Sequence, residues 1–509
     1  DMAAAAVVFA VFYWLEIWRE SDNDRILIAV GLLGGYAYAI KSTAVVVLIY
    51  ALAVVISRRR GSFLIPAMKI CGCAAVMMLP WIVKNWIWLG DPIAPLGAAI
   101  FRNPNLDIHA LHDWIRYLRE YHLPTWRAWP LEVTVEGVLL QGPLGPVFLL
   151  APIALLALRD RVGRRLLLAA LIMMIPYPMN IGSRFLLSAL PFFALAMTLA
   201  LRNFPRAISA LVLAHAILSW PTIMAHYSAG WRIVHFPLRA ALRIESESGF
   251  LTRSLDDYSI ARMIDDRVPP GETVLALAGL PTAYIKHNVL IGYEASFNRA
   301  LTDMVYTSYN TGLRPVVGLT FQFPEQSTRR VRVVQTSRSA DPHQWNVSEL
   351  RFFDHGVELA RSSEWRVSAW PNPWQVQFAF DNSPATRWRS GEAPFPGMWI
   401  DADFGEARNL DQVEIQETPD GMWAVTLQVE TMEASGKWVK RADNPKLHEL
   451  PAPKGLARAA THEIYARGVH YMVVRDSDFG ADDFADDPAG FGLDTVARTG
   501  ATTLYHILP

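Results

Sequence analysis

Eight apolar segments crowd the first 228 residues, and a chain cannot leave all of them in water. They cover residues 3–18, 26–40, 44–56, 63–82, 144–158, 166–178, 185–201 and 207–224. A helix crossing a bilayer upright needs about 20 apolar residues, and several of these runs are shorter. Tilt, flanking polar residues and burial against neighbouring helices extend what a short run can do. The pattern predicts a polytopic α-helical membrane domain over residues 1–228, with an outer amphipathic loop near 97–140. The run at 166–178, which ends in Pro176 and Pro178, suits a broken segment lining a protein cavity.

Charge is sorted by region, so the formal net charge of -1 says little about partners. Four short connections hold eleven arginines: Arg19 and Arg25; Arg58, Arg59 and Arg60; Arg159, Arg161, Arg164 and Arg165; Arg202 and Arg206. The alternate connections carry far fewer positive charges, which places the arginine-rich side in the cytoplasm. Asp1, Lys41, the loop at 84–143, Arg184 and everything beyond Met224 then face outward. The two cysteines, Cys71 and Cys73, lie within an apolar run and read as small packing residues.

One helix end concentrates unusual residues. In "MMLPWIVKNWIWLGDPIAPL" an apolar run passes directly into Lys84, Asn85, Gly90, Asp91 and Pro92. Trp81, Trp86 and Trp88 fit an interfacial aromatic belt. Lys84 reads either as a snorkelling anchor or as part of an anion site. Lys41 in "AIKSTA" and Arg184 in "NIGSRFLLSALP" stand at the outer ends of two other span pairs. Three isolated cations at one depth suit a lipid phosphate.

These segments resemble motifs of the integral-membrane GT-C glycosyltransferases. "LPWIVKNWIWLGDPIAPL" resembles their PW-x-x-(R/K)-N-x-x-x-x-G-(N/D)-P-x-x-P segment, "GLLGGYAYAIKSTAVVVL" their K-x-T helix hairpin, and "GSRFLLSALPFFALA" their R-(F/Y)-L-L-P-x-L-P segment. The resemblance implies a polyprenyl-phosphate-linked sugar donor bound from the outer face, and transfer to a glycan, lipid or protein acceptor. It implies that Lys41, Lys84 and Arg184 hold the lipid phosphate, with Asn85 either joining them or capping the helix end, and Asp1 as an acidic participant. The alternative for Asp1 is a helix N-cap carboxylate. The most characteristic acidic residues of such enzymes lie in a first outer loop upstream of Asp1, so the chain is expected to be the larger part of a longer protein. No cofactor is firmly implied, and a divalent metal stays open.

Asp91 in "LGDPIAP" reads first as a turn former before proline, and second as a substrate-groove carboxylate. His109 and His112 in "NPNLDIHALHDWIRYLREYHLPTWRAWP" lack a further ligand set and suit an acceptor groove better than a metal.

Beyond Met224 the character changes. Residues 229–336 read as a linker and the first part of an outer α/β domain, and residues 443–509 as its remainder. "LALAGLP" lacks G-x-G-x-x-G and is no dinucleotide fingerprint. Residues 337–442 alternate apolar and polar positions between turns, as sandwich strands do. Asp381 to Trp388, followed by "WIDADFG", resembles the discoidin (coagulation-factor type C) pattern A-x-D-G-x-x-x-T-x-W then W-x-x-(V/I)-D-(L/F)-G. That resemblance implies an inserted antiparallel β-sandwich, a discoidin-like jelly roll. Trp388 and Trp399 are expected in its core, Asp381 is expected to brace a loop, and Trp370, Trp374 and Arg389 are expected to face a glycan.

The sequence therefore predicts a multi-pass protein of a bacterial inner membrane with its C-terminal soluble half outside. Its expected partners are the polyprenyl-phosphate sugar donor, the acceptor and membrane lipid, and not nucleic acid. Two rivals remain: a non-catalytic membrane-anchored glycan-binding or assembly protein, and a lipid-linked glycan transporter or polymerase.

Overall fold

A computed structural model describes residues 1–58, 63–228, 237–339, 343–420 and 425–509. Arg59 and Arg60, two of the eleven connecting arginines, and part of the expected linker lie outside the described residues. The chain divides into two compact units, one of residues 1–101 with 112–247 and one of residues 102–111 with 248–509.

The first unit is helical. Its elements include Met2–Ser21, Ile26–Ile40, Ser42–Val46 running into Val47–Ser57, Leu64–Leu89, Pro146–Arg159, Arg161–Met173, Leu190–Ala200 and Pro205–Leu218. Met2–Ser21, Leu64–Leu89 and Arg161–Met179 are long and apolar enough to cross a membrane. One continuous core gathers Val8, Leu15, Val30, Tyr50, Ala170 and Phe192 from these helices. Helix Ile26–Ile40 packs closely on Leu64–Leu89 because small residues remove the side-chain spacer. A Cβ on Gly31 would lie 2.6 Å from the Ile70 carbonyl oxygen, and one on Gly35 would run into that of Ala74. Such backbone approach is the packing expected where apolar surroundings supply no hydrophobic driving force between helices. Cys73 sits at the same crossing, consistent with a packing role.

The second unit holds two β-structures. A five-stranded sheet has the spatial order Leu493–Thr499, Thr502–Ile507, Tyr471–Arg475, Thr273–Ala276 and Asn288–Ile291. Its last three strands are parallel and the C-terminal pair forms an antiparallel hairpin. Helices Tyr258–Arg267, Ser296–Tyr309 and Leu456–Ala466 contribute buried side chains to the cores around it.

The sandwich is larger than the predicted 337–442. Val317–Gln335 pairs with Trp399–Glu417 along most of its length, and Lys446–Glu449 pairs with Val317–Gln335 in turn. The stretch "PEQST" at 324–328 reads as a turn that should end a strand. Register shifts at Gln322/Gln326 and Thr328/Arg330 instead carry one strand around a corner. Leu319, Phe321 and Phe323 on one side of that corner, and Val331 and Val333 on the other, all enter the same core. Trp345 and Trp388 lie at its centre, edge to face at 5.1 Å.

Candidate functional site

In the helical unit the site forms where the end of Ile26–Ile40 meets the 3-10 turn Ser183–Leu186. Extended backbone at Lys41 ends the helix and swings its side chain outward. Its Nζ lies 2.5 Å from Asp1 Oδ1 and 3.9 Å from the centre of the Phe185 ring. The Arg184 guanidinium approaches the same ring at 5.5 Å. Asp1 stands at the N-cap of Met2–Ser21, but its carboxylate makes no capping hydrogen bond and goes to Lys41 instead.

The Arg184 turn is held from outside. Ile181 N–H donates to the Leu118 carbonyl at 3.0 Å and Ser183 N–H to that of Leu140 at 2.9 Å. Asn180 Oδ1 accepts from both the Tyr121 hydroxyl and Gly182 N–H at 3.0 Å. Among the described residues Arg184 has no carboxylate partner, so it presents a full positive charge beside the paired Lys41. The structure thus brings together Asp1, Lys41 and Arg184, with Phe185 between the two cations. Sequence reasoning overlooks Phe185 although it stands next to Arg184 in "GSRFLL", because an aromatic in an apolar run carries no separate signal.

Lys84 is placed differently. It is exposed on Leu64–Leu89, with its Nζ 4.9 Å from the Trp81 ring and 4.8 Å from the Trp88 ring. Asn85 is half-buried on the same helix. Asp91 is fully buried and its Oδ1 accepts from Ile93 N–H at 3.0 Å, which is the turn-forming role. His109 and His112 both lie on Ile108–Glu120, the first half-buried and the second exposed. Among the described residues no three His, Cys, Asp or Glu side chains converge on a metal position.

The second unit contains a polar pocket at one end of the sandwich. Its walls are residues 102–108, 371–375 and 389–392, together with Ser296 at the start of Ser296–Tyr309. Trp374 is 40% exposed and offers a free indole surface. Arg389 lines the wall with its Nη1 3.7 Å from Asp303 Oδ1. Trp370 is not in the wall. It packs edge-on against Phe395 at 5.1 Å while the Arg102 guanidinium covers it at 5.1 Å.

From sequence, residues 102–108 are only part of an outer loop. Arg102 pairs with Glu392, His109 N–H donates to the Gly391 carbonyl at 2.7 Å, and Ser296 N–H donates to that of Asn105 at 3.1 Å. No local pattern could have announced contacts that join residues so far apart in the chain.

Behind the pocket a buried ionic network fastens the sandwich to helix Ser296–Tyr309. Arg387 grips Asp303 through Nε at 2.8 Å and Nη2 at 2.7 Å, and its Nη1 donates to Asp420 at 3.1 Å. Burial alone would raise the Asp303 carboxyl, but Arg387 and Arg389 outweigh it and hold it down at about 2. Asp381 accepts from Ser383 N–H at 3.1 Å and from the Thr386 hydroxyl at 2.8 Å, bracing its loop. Trp388 is in the core, whereas Trp399 is half-buried and faces Trp370 across the strand pair.

Residues 359–471 match the model of the F5/8 type C domain, which supports the discoidin character of the sandwich. Residues 1–108 match a domain of unknown function, DUF8201. No curated protein and no solved structure matches the chain.

Proposed function

We propose that the chain is a membrane glycosyltransferase of GT-C type. It takes a polyprenyl-phosphate-linked sugar at the outer face of a bacterial inner membrane and passes the sugar to a glycan, lipid or protein acceptor. The observation that carries this reading is the convergence of Asp1, Lys41 and Arg184 around Phe185 at one helix end.

Transfer from a lipid phosphate needs cations that strengthen their hold as negative charge builds on the leaving oxygens. Arg184, without a carboxylate partner among the described residues, supplies one, and Lys41 supplies a second once the phosphate replaces Asp1 on its Nζ. That exchange releases the Asp1 carboxylate as an acceptor of a proton or hydrogen bond from the incoming hydroxyl. Lys84 between its two indoles holds the helix end at the interface. The discoidin sandwich holds the acceptor glycan in the pocket beside Trp374.

The test is transfer of labelled sugar from a polyprenyl-phosphate donor by the full-length protein in membranes. Arg184→Ala and Lys41→Ala are expected to lower turnover by about 100-fold, the scale of one lost charge-stabilising group, with Lys84→Ala losing much less. Unchanged turnover in both Arg184→Ala and Lys41→Ala would refute the phosphate site.

A further inference from the structure

The sandwich pocket contains four charged wall residues, and each already has a counter-ion. Arg102 pairs with Glu392, Asp107 lies 3.8 Å from Arg299, and Arg389 lies 3.7 Å from Asp303. Arg102 is held further by the Trp370 ring beneath it. A ligand carboxylate or phosphate entering the pocket would have to break one of these pairs, and a partly buried charge left behind is costly.

The uncharged wall groups are different. Asn103 Oδ1 accepts from Asn105 N–H at 3.0 Å, which leaves the Asn103 Nδ2 donor unused among the described residues. Asn372 Nδ2 donates to the Arg389 carbonyl at 2.8 Å, which leaves its own Oδ1 as an unused acceptor. Gln375 Oε1 meets Asn372 Nδ2 at 3.4 Å, so the Gln375 Nε2 donor also remains. Two donors and one acceptor stand around the exposed Trp374 indole. Such an arrangement matches a sugar ring, whose apolar face stacks on an indole while its hydroxyls donate and accept at the rim.

We propose that residues 102–108, which lie outside the sandwich in sequence, complete its pocket and restrict it to uncharged, hydroxyl-rich glycan. Residues 102–108 do so in two ways. Asn103 supplies a reading donor, and Arg102 neutralises Glu392 so that the wall repels neither hydroxyls nor apolar ring faces. This inference rests on the reading of the sandwich pocket as a glycan site, and it adds what kind of glycan enters and which distant segment decides it.

The experiment measures binding to the full chain in detergent by calorimetry. The probes are cellotetraose, mannotetraose and galactotetraose, with tri-galacturonate and phosphatidylglycerol vesicles as the charged counterparts. At least one neutral tetrasaccharide is expected to bind, with affinity falling at least about 10-fold in Trp374→Ala. Asn103→Asp keeps the contact to Asn105, turns the Nδ2 donor into an acceptor and adds a negative charge to the wall, so a fall of at least several-fold is expected there too. Glu392→Gln frees Arg102, and binding of tri-galacturonate is expected to appear or rise about 10-fold in that variant. Tri-galacturonate or vesicle binding by the unmodified chain that depends on Trp374 would overturn the restriction to neutral glycan while leaving the pocket as a ligand site. Neutral binding that ignores Trp374→Ala and Asn103→Asp would place the site elsewhere. Absence of binding to every probe would overturn the glycan reading of the pocket and this inference with it.

Discussion

Glu417→Gln should flatten the pH dependence of the second unit's stability. Glu417 ends the long strand Trp399–Glu417 and is fully buried. Trp345 Nε1 donates to its Oε1 at 3.2 Å, while Oε2 has no partner among the described residues. Burial pushes the carboxyl up to about 8, against the Trp345 hydrogen bond and with Asp420 adding to the rise. The folded state therefore binds this proton more tightly than the unfolded chain, whose glutamate titrates near 4.3. Below that value both states are protonated and the site costs nothing. As the pH climbs to about 8 the folded state forgoes an ionisation that the unfolded chain enjoys, so stability falls throughout that window and levels off above it. Each tenfold difference in proton affinity between the two states is worth about 1.4 kcal/mol, which sets the penalty at pH 7 on the order of 3 kcal/mol. Glutamine keeps the acceptor for Trp345 and replaces the carboxyl O–H with an amide donor that never ionises. For a domain of 150 to 250 residues, about 3 kcal/mol is roughly 6–12 °C in Tm. Scanning calorimetry of the full chain in detergent from pH 5 to 8.5 should show the second unit's transition falling in the unmodified protein and falling much less in Glu417→Gln. The residual slope belongs to Glu349, which burial raises to about 7 against its pairing with Arg361. If the two profiles ran parallel, Glu417 would not be protonated in the fold and the reasoning would fail.

Two further substitutions probe the scaffolds. Arg387→Ala strips Asp303 and Asp420 of their shared cation in a buried setting, and should cost about 3–5 kcal/mol; protease digestion should then cut between the sandwich and helix Ser296–Tyr309, where the unmodified chain resists. Gly35→Leu drives a side chain into the Ala74 backbone, where even a Cβ would collide with a carbonyl oxygen, and should lower the thermal stability of the helical unit in detergent while leaving the second unit's transition unchanged.

The legible parts of this chain are those fixed by local periodicity. All eight apolar runs fall on helices, because the length and composition of an apolar run constrain its backbone with little help from the rest of the fold. The strand Thr273–Ala276 and the closing strand Thr502–Ile507 also stand out, since β-branched residues between turn signals are local features. Val317–Gln335 does not, because its corner at 324–328 is composed like a loop and is held as strand only by the partner Trp399–Glu417. The same division runs through the sites. Trp374 and Arg389 are visible as loop residues of a discoidin-like pattern, whereas Arg102, Asn103 and Arg299 join them only through tertiary contacts. Trp370 looks equivalent to Trp374 in sequence, and what separates them is the Arg102 guanidinium lying over one ring and not the other.

Charge pairing sets the two candidate sites apart more sharply than residue composition does. Both combine cations, at least one carboxylate and an aromatic ring, and from sequence either would pass as an anion site. In the sandwich every cation of the pocket wall meets a carboxylate, so the pocket carries no unbalanced charge to offer. In the helical unit the one carboxylate, Asp1, pairs with Lys41, and Arg184 is left without a carboxylate partner among the described residues. An anion arriving there gains the field of Arg184 immediately and that of Lys41 by exchange with Asp1, whereas an anion arriving at the sandwich must first displace a resident partner. The function proposed above calls for this asymmetry, with one site that welcomes the departing phosphate and another that refuses it. Reversing the asymmetry is therefore the most severe joint test. Glu392→Gln should open the sandwich to uronates, and Arg184→Ala should lower transfer by about 100-fold without touching glycan binding; loss of glycan binding in Arg184→Ala would mean that the sites are not the separate charge environments argued for.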